Sequence, residues 1–181
     1  MKKNYGIWLW LLALSSIFAA CKKGKATTNP EDQLPPATQT GTNTFGCLVN
    51  GKVFVPTGYT NPYPNYRVFV DPGNNGNLDI RTYSFINGNE EDLDLAGFGI
   101  TSTGTFILNS SQIYPDYIMN INSSICRYIY SANNFKSGYL KINKYDLTQK
   151  IISGEFEFKL YDNTISCDTI RITQGRFDTK F

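Results

Sequence analysis

Gly154-Glu155-Phe156-Glu157-Phe158-Lys159-Leu160 decides the fold class. Phe156, Phe158 and Leu160 recur at every second position, with Glu155, Glu157 and Lys159 between them. Successive side chains of an extended strand point to opposite faces. This stretch therefore places its apolar groups on one side and its charges on the other. A helix would scatter both sets around its circumference. The apolar side belongs to a core and the charged side to water, which is how an antiparallel sheet with one wet face reads. Two Glu at this spacing also resemble the carboxylate pair that glycosidases use. Alternation alone already explains them as a solvated strand face.

Working outward, the same period recurs in short runs of β-branched and aromatic residues. Phe45-Gly46-Cys47-Leu48-Val49 leads into Asn50-Gly51, the strongest short hairpin signal, and Lys52 to Val55 returns. Tyr66 to Val70 and Leu78 to Phe85 flank the turn cluster Asp71-Pro72-Gly73-Asn74-Asn75-Gly76. Leu93 to Ile100, Thr105 to Leu108, Tyr117 to Ile121, Ile125 to Tyr130, Tyr139 to Ile142, Ile151 to Leu160 and Thr169 to Phe177 follow. No stretch keeps a helical apolar period for three turns. Residues 45–181 are thus expected to form one all-β domain of about ten short strands, an antiparallel β-sandwich or a sandwich-like barrel.

Upstream the composition changes. Lys22 to Thr44 is polar, carries Pro30, Pro35 and Pro36, and offers little to bury beyond Ala26, Leu34 and Ala37. Such a segment does not offset its ordering entropy and reads as a flexible linker, reaching roughly 24 to 29 Å. Before it, Lys2 and Lys3 precede an apolar run from Ile7 to Phe18, and then Ala19-Ala20-Cys21. A basic start, a short apolar core and small residues before the cut make residues 1–20 a secretory signal peptide. The Ala-Ala-Cys end resembles the lipobox of bacterial lipoproteins, with Phe18 where Leu is usual. That resemblance implies that Cys21 becomes the acylated first residue of the mature chain and ties it to a membrane. Without Lys2 and Lys3 the 17 basic residues fall to 15, equal to the 15 acidic ones, so the body carries no formal net charge.

Four further strings carry a wider resemblance. They are Leu34-Pro35-Pro36-Ala37-Thr38-Gln39-Thr40-Gly41, Asn43-Thr44-Phe45-Gly46-Cys47-Leu48-Val49-Asn50-Gly51-Lys52-Val53, Ile152-Ser153-Gly154-Glu155-Phe156-Glu157-Phe158, and Cys167-Asp168-Thr169-Ile170-Arg171-Ile172-Thr173-Gln174-Gly175-Arg176-Phe177-Asp178. Together they resemble an uncharacterised family of Bacteroidetes-type lipoproteins defined by a domain of unknown function. The resemblance implies a lipid-anchored all-β envelope protein and brings no activity, ligand or catalytic residue. In related bacteria surface export goes with acidic residues soon after the lipidated Cys. Lys22, Lys23, Gly24 and Lys25 stand there instead, which points to the periplasmic face of the outer membrane.

Composition removes several classes of function. The chain of 181 residues contains no His, which excludes imidazole-based triads and His-ligated zinc. A net charge of +2 from 17 basic and 15 acidic residues is too balanced for a nucleic-acid binder. No metal and no cofactor is expected. Cys47 shares a strand face with Phe45 and Val49 and reads as core filler, leaving Cys126 and Cys167 as disulfide partners in an oxidising compartment. The acidic stretch Asn87, Asn89, Glu90, Glu91, Asp92, Asp94 holds many oxygen ligands but lacks an ordered calcium-loop spacing; an exposed polar hairpin accounts for it. The loop Tyr59-Thr60-Asn61-Pro62-Tyr63-Pro64-Asn65-Tyr66 is the candidate binding loop, its Tyr59, Tyr63 and Tyr66 suited to stacking on a glycan or an envelope protein. The expected function is a non-catalytic binding or structural module. A small-ligand carrier with a barrel pocket is the alternative, followed by a hydrolase working through carboxylates alone.

Overall fold

The computed structural model describes residues 29–58, 62–86, 89–108, 112–121, 124–128, 136–161, 167 and 169–181. The signal peptide, Cys21, Tyr59 and Asn87 lie outside them. Among the described residues eleven strands form, each matching an expected run: β1 (Thr44–Val49), β2 (Lys52–Phe54), β3 (Tyr66–Asp71), β4 (Asn77–Ile86), β5 (Asn89–Gly97), β6 (Gly104–Ile107), β7 (Ile113–Ile121), β8 (Ser124–Tyr128), β9 (Lys136–Asp146), β10 (Ile151–Leu160) and β11 (Ile170–Lys180). They build a six-stranded sheet, β2-β1-β11-β10-β9-β6, and a five-stranded sheet, β3-β4-β5-β7-β8. All the strand pairs are antiparallel. Each sheet keeps two open edges, so the architecture is a sandwich and the barrel alternative is not what forms.

The strand quoted first is central, with β9 on one side and β11 on the other. Phe156, Phe158 and Leu160 are buried, while Glu155, Glu157 and Lys159 lie on the wetter face. The Phe156 ring stacks on Phe45 at 5.4 Å and on Phe158 at 5.6 Å. It also lies over Gly175, its cross-strand partner, where any Cβ would overlap the ring. Asn50 and Gly51 have φ of 48° and 78°, the left-handed pair that a two-residue type I′ hairpin needs between β1 and β2. The inward stripes of the sheets meet in one core, including Leu78, Ile80, Leu93 and Leu95 from one sheet and Leu140, Ile142, Phe156 and Ile172 from the other. Each such side chain contributes about 1.5–3 kcal/mol by leaving water. Cys47 is fully buried among them, and burial raises its thiol far above the usual range.

The linker expectation needs correction at its far end. From Asn29 onward the chain is strapped to the domain rather than free to Thr44. Pro30–Gln33 form a 3₁₀ turn, Leu34 is buried, and Pro35 packs over Gly46. The anchor is the Asp178 carboxylate on β11. It accepts the Thr38 hydroxyl at 2.6 Å, the Thr40 and Gly41 amides at 2.9 and 2.7 Å, and the Thr42 hydroxyl at 3.1 Å. Asn43 Oδ1 accepts from the Thr179 hydroxyl and the Lys180 amide, both at 3.0 Å. Composition shows a segment too polar to build a core, but not that Thr and Gly donors converge on one buried acid.

Candidate binding surfaces

The described part of the tyrosine loop delivers one ring to the surface. Tyr63 is 56% exposed. Tyr66 is instead the first residue of β3 and turns inward, its ring centroid 5.9 Å from that of Phe45. The structure therefore divides the candidate loop: Tyr66 packs on the core, and only Tyr63 of the two described rings faces outward. Tyr63 does not stand alone. The Arg67 guanidinium sits 4.6 Å from its ring centroid and 5.8 Å from that of Tyr83, and donates to the Tyr83 hydroxyl at 3.2 Å. One cation thus ties the loop to the outer face of the five-stranded sheet.

That outer face has an unusual layout. Strand register sets Phe69, Asp79, Ala96 and Tyr114 in one row across β3, β4, β5 and β7. The next row is Arg67, Arg81, Asp94 and Asp116, and beyond it Tyr83, Asp92, Ile118 and Arg127 cross from β4 to β8. Phe85 and Glu90 open the last row and Ile125 closes it. Of the eight large hydrophobic side chains that stand exposed among the described residues, Tyr63, Phe69, Phe85, Phe98 and Ile125 lie on or beside this face. Phe98 packs edge-on against Tyr114 at 5.9 Å. Exposed rings hold the periphery; carboxylates and guanidinium groups, with Tyr83 and Ile118 among them, hold the middle.

The central charges are not fully balanced. Arg81 pairs with Asp79 at 2.8 Å. Asp92 and Asp94 are each pushed up from 3.8 to about 6, first by partial burial. For Asp92 the charges of Glu90 and Asp94 add to this; for Asp94, Arg81 opposes it while Asp79 and Asp116 add. Their Oδ1 atoms are buried without a hydrogen-bond donor. The acidic stretch is therefore not a simple exposed hairpin: its outward acids sit crowded on this face, and its inward-facing acid, Glu91, goes elsewhere.

Glu91 faces the space between the sheets. Alternation back from Leu95 and Leu93 puts it on the core face, a signal present in the sequence but masked by the surrounding acids. It accepts a 2.9 Å hydrogen bond from the buried Tyr117 hydroxyl. Burial, reinforced by the Glu91 charge, raises that phenol far above its usual range. The two residues line a cavity of about 410 Å³ at one end of the sandwich, together with Val49, Lys52, Phe54, Met119 and Ile170.

Cys126 and Cys167 are joined by a disulfide, Cα to Cα 5.6 Å, which ties edge strand β8 to the segment entering β11. Glu155 and Glu157 remain on the outer face of the six-stranded sheet, beside a cleft of about 250 Å³ that also touches Glu31 and Arg176. Glu155 pairs with Lys141 at 3.6 Å and Glu31 with Arg176 at 3.7 Å. This arrangement holds no two carboxylates converging on one buried point. Among the described residues, no group of three or more Cys, Asp or Glu is placed to hold a metal ion. The chain matches no protein-family model, and comparison with curated proteins and with solved structures gives no significant match.

Proposed function

We propose that this chain is a non-catalytic envelope lipoprotein that binds glycan on the outer face of its five-stranded sheet. The observation that carries the reading is the layout of that face. The core of a protein–protein interface is depleted in charge and ringed by polar groups. Here the order is reversed, with Asp79, Arg81, Asp92 and Asp94 central and Tyr63, Phe69, Phe85 and Phe98 around them. A sugar chain suits this reversal. Its C–H faces stack on rings, and its hydroxyls both donate to carboxylates and accept from guanidinium groups. Same-face positions repeat about every 4.8 Å across strands and about 6.7 Å along them, which gives a ladder of polar contacts for an extended polymer.

The anchor belongs to the same reading. With the strap docked from Asn29, the chain between Cys21 and the domain spans at most roughly 29 Å. A lipid on Cys21 would hold the sandwich close to the headgroups at the periplasmic face of the outer membrane. Incorporation of labelled fatty acid, abolished by Cys21→Ala, checks the anchor; label retained in that variant refutes it.

The glycan reading is tested by titrating purified protein with cello-oligosaccharides and chito-oligosaccharides in a calorimeter. Binding is expected to weaken by about 1–3 kcal/mol in Phe69→Ala and Tyr63→Ala, with the melting temperature nearly unchanged. Heat with neither sugar series, or variants that lose stability and keep binding, would overturn it. A purified envelope protein that binds the same face with the same ring dependence would replace the glycan by a protein partner.

A further inference from the structure

The end pocket points to a second ligand, unrelated to the outer face. The inward stripe of β1 and β2 runs Phe45, Cys47, Val49 on one strand and Phe54, Lys52 on the other, with Val49 opposite Lys52. The inward stripe of β5 runs Leu95, Leu93, Glu91, Asn89. Both stripes are apolar until they reach this end of the sandwich. There each turns charged, with opposite sign, and both charges line the same cavity. Glu91 is partly buried there, where a charge is costly unless it has a partner, while Lys52 stands exposed at the rim. Among the described residues, the ion pairs include neither Lys52 nor Glu91. Glu91 has the Tyr117 hydroxyl, one donor for a carboxylate able to accept about four.

The same cavity is lined by the apolar Val49, Val53, Phe54, Met119 and Ile170 and by the amides of Asn50 and Asn89. The disulfide braces that lining. Cys126 is the cross-strand partner of Met119, and Cys167 lies three residues before Ile170. The volume, about 410 Å³, falls in the lower part of the roughly 300–1,000 Å³ range of small-molecule sites.

We propose that this pocket binds a small zwitterion with an apolar body, the class of free aliphatic amino acids. Glu91, held by Tyr117, takes the ammonium group. Lys52, on the opposite sheet, takes the carboxylate. The aliphatic side chain fills the space against Val49, Phe54, Met119 and Ile170. The two charges read the head groups and the cavity reads the size.

The test uses the purified full chain and three probes matched in shape: L-leucine, isoamylamine, which lacks the carboxylate, and 4-methylpentanoate, which lacks the ammonium. Leucine is expected to bind and to raise the melting temperature. Each single-headed analogue should bind roughly tenfold or more weakly, since each loses one charge-assisted hydrogen-bonded contact. Lys52→Met should remove the preference for leucine over isoamylamine. Glu91→Gln should remove the preference over 4-methylpentanoate. If Glu91→Gln unfolds the protein, Lys52→Met decides alone, because Lys52 is exposed and its loss leaves the core intact. Equal affinity for all three probes would reduce the site to an apolar cleft and overturn the proposal. Absence of leucine binding by folded wild-type protein would do the same. Neither result bears on the glycan reading, which concerns the opposite side of the five-stranded sheet.

Discussion

Three aspartates with shifted carboxyls pull the pH response of this domain in opposite directions. Burial alone would raise Asp178, but the Thr38 hydroxyl and the Thr40, Gly41 and Thr42 amides outweigh it and hold the carboxyl below its usual value. A lowered folded-state pKa gives stability that is present above the ordinary carboxylate range and is lost as pH falls through it. Asp92 and Asp94, raised from 3.8 to about 6, do the reverse. The folded chain binds more protons than the unfolded chain between those values, so stability declines as pH rises through that window. No histidine titrates there, since the sequence has none. The melting temperature should therefore rise from about pH 7 to about pH 5 and fall again below about pH 4. Asp94→Asn should flatten the first slope and be more stable than wild type at neutral pH. Asp178→Asn should cost about 1–3 kcal/mol at neutral pH and flatten the acid limb. Thermal denaturation across pH settles the matter; an Asp94→Asn profile parallel to wild type between pH 5 and pH 7 would refute the assignment.

Strands were legible in the sequence wherever one physical cause dominated. β10 alternates because one face is core and the other is wet, and its limits coincide with the pattern. The β1–β2 hairpin was legible because Asn50-Gly51 adopts positive φ at low cost. Elements with two competing causes were less clear. β5 begins at Asn89 rather than near Leu93, because polar residues hold its outer face and Glu91 replaces an apolar group on its inner one. The strap escaped altogether. Its order comes from hydrogen bonds to Asp178, about 140 residues away, and local composition carries no trace of a distant acceptor. Tyr66 failed as a surface residue for a related reason. A Pro-rich run predicts a loop, but β3 starts at its last residue and alternation turns that ring inward. The outer-face site depends on register across four strands, which links Phe69 to Tyr114 and Arg81 to Asp94 only after pairing is known.

The sandwich as a whole depends on what joins its layers, because the ladder hydrogen bonds run within each sheet. Between the strands of the two sheets the contacts are side-chain packing, supplemented by the Cys126–Cys167 bond from β8 to the segment before β11 and by a bridge from Thr57, beyond the end of β2, to Ser84 on β4. The disulfide acts on edge strand β8, which has β7 alone as a ladder partner. It closes a loop with a sequence separation of 41. In the chain-entropy account a loop of this size contributes about 4 kcal/mol, by limiting what the unfolded chain can explore. For a domain whose total stability is commonly about 5–15 kcal/mol, that is a large share. Paired Cys126→Ala and Cys167→Ala substitutions should therefore lower the unfolding free energy by about 2–4 kcal/mol in denaturant titrations. The loss should also be local. β8 and the start of β11 should exchange their amide hydrogens faster, while β9 and β10 keep their protection until global unfolding. Met119 and Ile170, on the pocket wall beside the bridge, should loosen with them, so leucine affinity should fall in the double variant before the outer face changes. Uniformly faster exchange across both sheets would show instead that the bond stabilises the whole fold equally and braces no particular wall.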